Sequence, residues 1–387
     1  MISKSRPVIP VKLIAYWLMV ASACQVLAVD PIVSRVQAKQ REGSRLVDIT
    51  YDVADPDSPT LTVYLKVSAD GGVTWKGPVE LVSGDVGSGI VPGGGKRLVW
   101  DAGKELPNQF GVKYRYRIGA SDQWLVPEGM ALIPAGPFQM GDERVSRATP
   151  MHTVTVSAFA MDKWEVSIEF WESVRGWGNA RGYDLVVGGR FGQPVHTDPV
   201  YSVSWWDVVK WCNARSEKEG KVPAYYVDAA MTQVYRSGEK APAGVKWDAG
   251  YRLPTEAEWE KAARGGVVGK LYPWGTDEID PSFANYYDSK KGGTTSVGSY
   301  KANGYGLYDM AGNVWEWCWD GYDEYTQTVQ TDPRGPSSSP YPYRIIRGGS
   351  RGNAAQLCRV SYRYYITPGD GVNIIFGFRS VLPPGQP

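Results

Sequence analysis

Two periodicities divide this chain. Between Pro31 and Ser121 apolar residues recur at every second position. Val47, Ile49, Tyr51 and Val53 alternate with Asp48, Thr50 and Asp52, and Leu61, Val63, Leu65 and Val67 alternate with Thr62, Tyr64 and Lys66. Val112, Tyr114, Tyr116 and Ile118 close the set. A period of two, broken by turn-forming clusters, predicts a small antiparallel sandwich.

Further along, the period changes. His152–Ser167 alternates as a strand and then enters a helix around Ile168–Val174. Ser202–Gly220 has amphipathic helical spacing, with Ser204 and Asp207 placed for a capping box and Gly220 to close it. A second helix is framed by Pro254, Thr255 as N-cap, Glu258 at the capping-box position and Gly265-Gly266 at its end. Beyond Arg264 no long helix is marked, only loops and short strands. The fold class expected is α+β: an antiparallel β-sandwich of immunoglobulin or fibronectin-III type over residues 29–122, then a loop-rich domain over 124–383.

Composition sharpens this picture. Forty-five Gly and 27 Pro, together with 16 Trp and 24 Tyr, describe loops pinned by aromatic anchors rather than low-complexity disorder. A net charge of +1 offers no basic face for nucleic acid. Within the first domain, SADGGVTW (Ser68–Trp75) has the S-x-D-x-G-x-T-W pattern of an Asp-box hairpin. There Asp70 accepts from turn amides, Gly72 supplies an unusual backbone angle and Trp75 packs underneath. One such box makes no propeller, so the motif is read as structural.

The first 28 residues read as an export signal. Lys4, Arg6 and Lys12 precede an apolar stretch, Leu13–Ala28, shorter than the roughly 20 residues a membrane span requires. Val26-Leu27-Ala28 offers a cleavage site; alternatively Ala21–Cys24 offers a lipoprotein site with Cys24 lipidated. Either places the product outside the cytosol, secreted or in the periplasm or cell envelope, with membrane contact only through the signal or Cys24. Cleavage after Ala28 leaves Cys212, Cys318 and Cys358, an odd number that permits at most one intrachain disulfide.

The densest chemistry lies in GYGLYDMAGNVWEWCWDGY (Gly304–Tyr322). Asp309 and Glu316 offer carboxylates and Gly312 and Val314 offer carbonyls, hard oxygen ligands that suit calcium; the bland alternative is a capped turn. With YRLPTEAEWEKAARGG (Tyr251–Gly266) upstream and RIIRGGS…GFRSV (Arg344–Val381) downstream, this run resembles the formylglycine-generating enzyme, or sulfatase-modifying factor, family. The resemblance implies a C-type-lectin-like fold, a structural calcium ion on Asp309, Gly312, Val314 and Glu316, and a second calcium site beginning at Asn285.

It also implies an oxidoreductase site. Family members that make formylglycine hold copper on two cysteines five residues apart, shortly after a Gly-Gly-Ser. Here Ser350 matches the family's serine; counting forward, Asn353 stands at the first cysteine position and Cys358 falls at the second, whereas counting back from Arg363 and Thr367-Pro368 moves Cys358 three positions off. Thiolates in pairs stabilise Cu(I), so a chain with one of the two is expected to have altered or lost that chemistry. Since the family packs the segments carrying Cys318 and Cys358 side by side, a Cys318–Cys358 bridge is an expectation, with Cys212 left as a buried thiol. His152 and His196 are too few for the three-histidine iron site of some relatives. The other expectation is a non-catalytic lectin-like module whose partner is a protein, a peptide or a glycan.

Overall fold

The computed structural model describes residues 31–55, 61–79, 81–105, 115–121, 126–189, 197–336, 342–370 and 375–384. The stretch expected to serve export, with Cys24, and Trp124 and His196 lie outside these residues.

In the first part, β1 (Ile32–Gln40), β2 (Leu46–Ala54), β3 (Leu61–Ser68), β4 (Val82–Gly84), β5 (Gly87–Ile90), β6 (Gly93–Asp101), a short α1 (Ala102–Glu105) and β7 (Arg115–Ser121) follow in order. They form two antiparallel sheets, β1-β2-β6-β4 and β5-β3-β7. The alternating set Ile49, Tyr51, Val53, Leu61, Val63, Leu65 and Val67 fills one shared core with Leu98, Trp100 and Ile118. Tyr116 and Ile118 fall in β7, whereas Val112 and Tyr114 lie outside the described residues. The hairpin Ser68–Trp75 closes as expected: Asp70 accepts from the amides of Val73 and Thr74, and Trp75 Nε1 donates to the Gly72 carbonyl.

The second part begins with β8 (Met130–Ile133), β9 (Gly136–Met140), β10 (His152–Val156) and β11 (Phe159–Asp162), followed by α2 (Ile168–Asn179) and α3 (Trp205–Lys218). Next come β12 (Tyr225–Tyr226), β13 (Gly244–Val245) and α4 (Glu256–Arg264). Last are β14 (Trp315–Gly321), β15 (Gln330–Thr331), β16 (Arg344–Arg347), β17 (Tyr364–Ile366), β18 (Phe376–Gly377) and β19 (Val381–Leu382). The sheet that carries the dense motif is β17-β16-β14-β18, in which β14 pairs antiparallel with β16 and parallel with β18. Strands outnumber helices, and long loops separate them. Among the described residues no helix is long and apolar enough to cross a membrane.

The helix ends follow local chemistry. Ser204 and Thr255 cap α3 and α4, each with a complete capping box closed by Asp207 and Glu258. Gly265, in the left-handed conformation, ends α4. Ser167 caps α2, which runs to Asn179 rather than stopping near Val174. One expectation needs correcting: α3 is not amphipathic but buried all round. Its polar side chains are tolerated inside because each finds a partner. Asn213 bonds the backbone of Tyr225 and Tyr235, Lys210 pairs with Asp184, and Arg215 pairs with Asp162. Trp171 and Trp211 stack 5.8 Å apart between α2 and α3, with Phe378 edge-on to both.

Candidate functional site

The Asp309–Glu316 loop enters β14 through left-handed backbone at Asp309, Gly312 and Asn313. A side chain at Gly312 would meet the Asn285 carbonyl at 2.3 Å, so the loop closes on Asn285 without room to spare. Asn285 itself is buried and paired within the protein: its amide donates to the Gly293 carbonyl and its oxygen accepts from Ser289.

Three carboxylates are buried around this loop. Glu316 is held by Arg379 through two 2.8 Å bonds and by Trp259 Nε1 at 2.7 Å. Glu165, which the sequence reading did not single out, accepts from Asn313 Nδ2 at 2.6 Å and from the Val314 amide at 3.2 Å. Asp309 Oδ2 accepts from the Gly298 amide at 2.6 Å, while Oδ1 is buried without a partner. Burial, with the charges of Asp309 and Glu316, pushes the Glu165 carboxyl well above its ordinary range. Burial likewise raises Asp309 to about 6. One guanidinium thus faces three acids. Glu165 had one local signal: an acid in the apolar run Trp164-Glu165-Val166, just before the Ser167 cap.

The donor set fits a hard cation in part. The orphaned Asp309 oxygen and the surplus of negative charge ask for one. Glu316 is already committed to Arg379, and among the described residues no three His, Cys, Asp or Glu side chains converge on a metal-sized point. A cation here would therefore lean on backbone carbonyls, as calcium tolerates.

Ser350, Asn353 and Cys358 are brought together. Ser350 Oγ donates to Asn353 Oδ1 at 2.6 Å, and the amides of Gly312 and Ser350 point to the Cys358 sulfur. The disulfide expectation is wrong: Cys212, Cys318 and Cys358 are all free and buried. Cys318 packs beneath α4 with Trp259, and Cys358 packs in a separate cluster with Leu271, Tyr272 and Tyr286. A side chain at Gly349 would sit 2.6 Å from the Cys358 sulfur, so the thiol is roofed by backbone. Burial pushes this thiol up to about 12, the two amides only partly opposing it. A single, roofed thiol beside an asparagine does not fit copper held by a thiolate pair.

A tyrosine surface flanks this sheet. Tyr365 lies 4.0 Å from Tyr322, 5.1 Å from Tyr343 and 5.9 Å from Tyr364 between ring centroids. The Arg147 guanidinium stands 5.3 Å over both Tyr364 and Tyr365. Trp315, at the start of β14, tilts against Tyr362 and Tyr364.

Fold and loop together define a class, and comparison agrees with it. A profile of the sulfatase-modifying factor enzyme 1-like domain matches residues 119–383, and the chain belongs to that family. It is 32% identical over 315 residues to the formylglycine-generating enzyme of Bos taurus, covering 70% of this chain and 80% of that one. It is 34% identical over 270 residues to the formylglycine-generating enzyme of Streptomyces coelicolor, covering 60% and 80% respectively. Among solved structures, Treponema denticola variable protein 1 superposes with a TM-score of 0.57 at 32% identity, covering 66% of this chain and 95% of that chain.

Proposed function

We propose that this chain keeps the scaffold of the formylglycine-generating family without its copper–thiolate oxidation, and that it acts outside the cytosol as a binding module for a protein, a peptide or a glycan. One observation carries the reading: Cys358 is a lone buried thiol, and the Ser350 hydroxyl beside it bonds Asn353, the residue the family resemblance sets at the first cysteine position. Ser350 and Asn353 then serve as a hydrogen-bonded pair rather than as reacting groups. The tyrosine surface around Tyr365 supports the binding role, since half-exposed rings beside a guanidinium stack on sugar faces or on peptide side chains. The export segment at the N-terminus supports a place outside the cytosol.

The same reading gives the loop a structural calcium ion on Asp309 and the carbonyls of Gly312 and Val314. Glu316 stays with Arg379, and Asn285 braces the loop from behind. The copper half is tested by titrating the folded protein with Cu(I) against a competing chelator. The expected result is no stoichiometric complex in the folded state. One Cu(I) per chain, lost in Cys358→Ser, would sink the reading.

A further inference from the structure

A cavity of about 470 Å³ opens away from the Ser350–Cys358 cluster, between the end of β14, the start of α4 and the segment 323–336. Its walls include His152, Glu256, Asp320, Asp323, Glu324, Tyr325, Arg334 and Arg363. Four of these are carboxylates and two are guanidiniums.

The Arg363 guanidinium is occupied. Arg363 spends Nε and Nη2 on Glu256, at 2.8 and 2.7 Å, and lies over the Tyr325 ring. Glu256 also takes Arg347 at 2.7 Å, so its acceptors are filled. Arg334 rests over the face of Trp247, 4.8 Å from the ring centre.

Two acceptors on largely buried side chains remain. Asp320 is 7% exposed; its Oδ2 takes the Glu256 amide at 2.7 Å, and among the described residues Oδ1 takes no hydrogen bond. His152 is 4% exposed, and its Nδ1 lies 3.1 Å from the Pro150 carbonyl. Nδ1 therefore carries the proton in the neutral ring, leaving the Nε2 lone pair without a partner among the described residues. Both side chains line the cavity, and the exposed carboxylates of Asp323 and Glu324 rim it. Both acceptors face the cavity without a protein donor, so a ligand that brings N–H groups and positive charge suits this wall.

We propose that this cavity binds an organic cation, an alkyl ammonium or guanidinium group, through Asp320 and His152, with Asp323 and Glu324 drawing it in. A metal ion suits the site less well, because no three ligating side chains converge among the described residues. Burial holds the Asp320 carboxyl up at about 7, with Glu256 and Glu258 adding to the rise and Arg363 opposing it. A bound cation would reverse that shift. The source of the cation is either a basic side chain on a peptide or a free amine of the same chemistry.

The test is calorimetric titration of the intact mature chain with agmatine, spermidine, a Gly-Arg-Gly amide and its neutral citrulline counterpart. At least one cationic probe binds and the citrulline peptide does not. Binding of the arginine peptide alone assigns the site to a protein partner, and binding of the amines alone assigns it to small molecules. Asp320→Asn weakens binding by about tenfold or more, the loss of one charge-assisted bond. Because Asp320 touches the start of α4, the exposed double variant Asp323→Asn/Glu324→Gln is measured beside it. That variant folds normally and loses a few-fold in affinity, mostly at low salt. Equal binding of the citrulline peptide, no binding by any probe, or unchanged affinity in both variants would overturn the proposal.

Discussion

Asp309 and Glu165 pose one electrostatic problem between them. Each is buried, each is pushed toward protonation, and the nearest guanidinium, that of Arg379, is held by Glu316. Their protons are bound more tightly in the folded chain than in the unfolded one. From the ordinary carboxylate range near pH ~4 up to about 6, where Asp309 titrates, the folded state therefore holds extra protons, and stability falls as pH rises through that window. In chelator, melting temperature should decline from pH 5 to pH 7. Calcium should flatten the decline by neutralising the acids, and Asp309→Asn should lose both the decline in part and the calcium response. Scanning calorimetry with calcium and with chelator checks this. A melting curve indifferent to calcium in the parent chain would count against the ion. Asp309 was legible in the sequence because it sits inside a dense local motif. Glu165 was not, because it reaches the loop from almost 150 positions away and only folding brings it there.

At the scale of elements, α4 is the hub. Every residue from Glu256 to Arg264 is buried, although most are charged or small; apart from the Glu260–Arg264 pair within the helix, the charges are matched by groups outside it. Arg347 on β16, fully buried, bonds Glu256 at 2.7 Å and Glu260 at 2.6 Å, while Arg252 pairs with Glu258. Removing one member of a buried pair strands the other. Arg347→Met should therefore cost about 3–5 kcal/mol, against about 1 kcal/mol for Thr255→Ala at the cap. Denaturant unfolding of both variants would show it, and equal losses would contradict the hub. The two caps could be read in advance because a capping box is complete within four residues. The ion lattice could not, since Arg347 and Arg363 lie about 90 and 107 positions from Glu256. The same limit explains α3, whose spacing looked amphipathic until Asp162, Asp184 and Tyr225 covered its polar side.

Across the whole molecule, the antiparallel strands of the first part and the family domain were legible because period two and the long motifs Tyr251–Gly266 and Gly304–Tyr322 survive in one sequence. The fate of the thiols was not. Packing, not spacing, sends Cys318 under α4 and Cys358 under the Gly349 backbone, and so leaves them unbridged. That separation removes the expected bridge; on the proposed reading the function turns instead on Asn353 and Cys358, where the family's thiolate pair is reduced to one thiol. The direct measurement is mass spectrometry of a Cys-x-Pro-x-Arg peptide incubated with oxygen and the mature, Cu(I)-treated chain. The account predicts an unmodified peptide cysteine while the protein stays folded. Conversion of that cysteine to an aldehyde, abolished by Cys358→Ser, would contradict it.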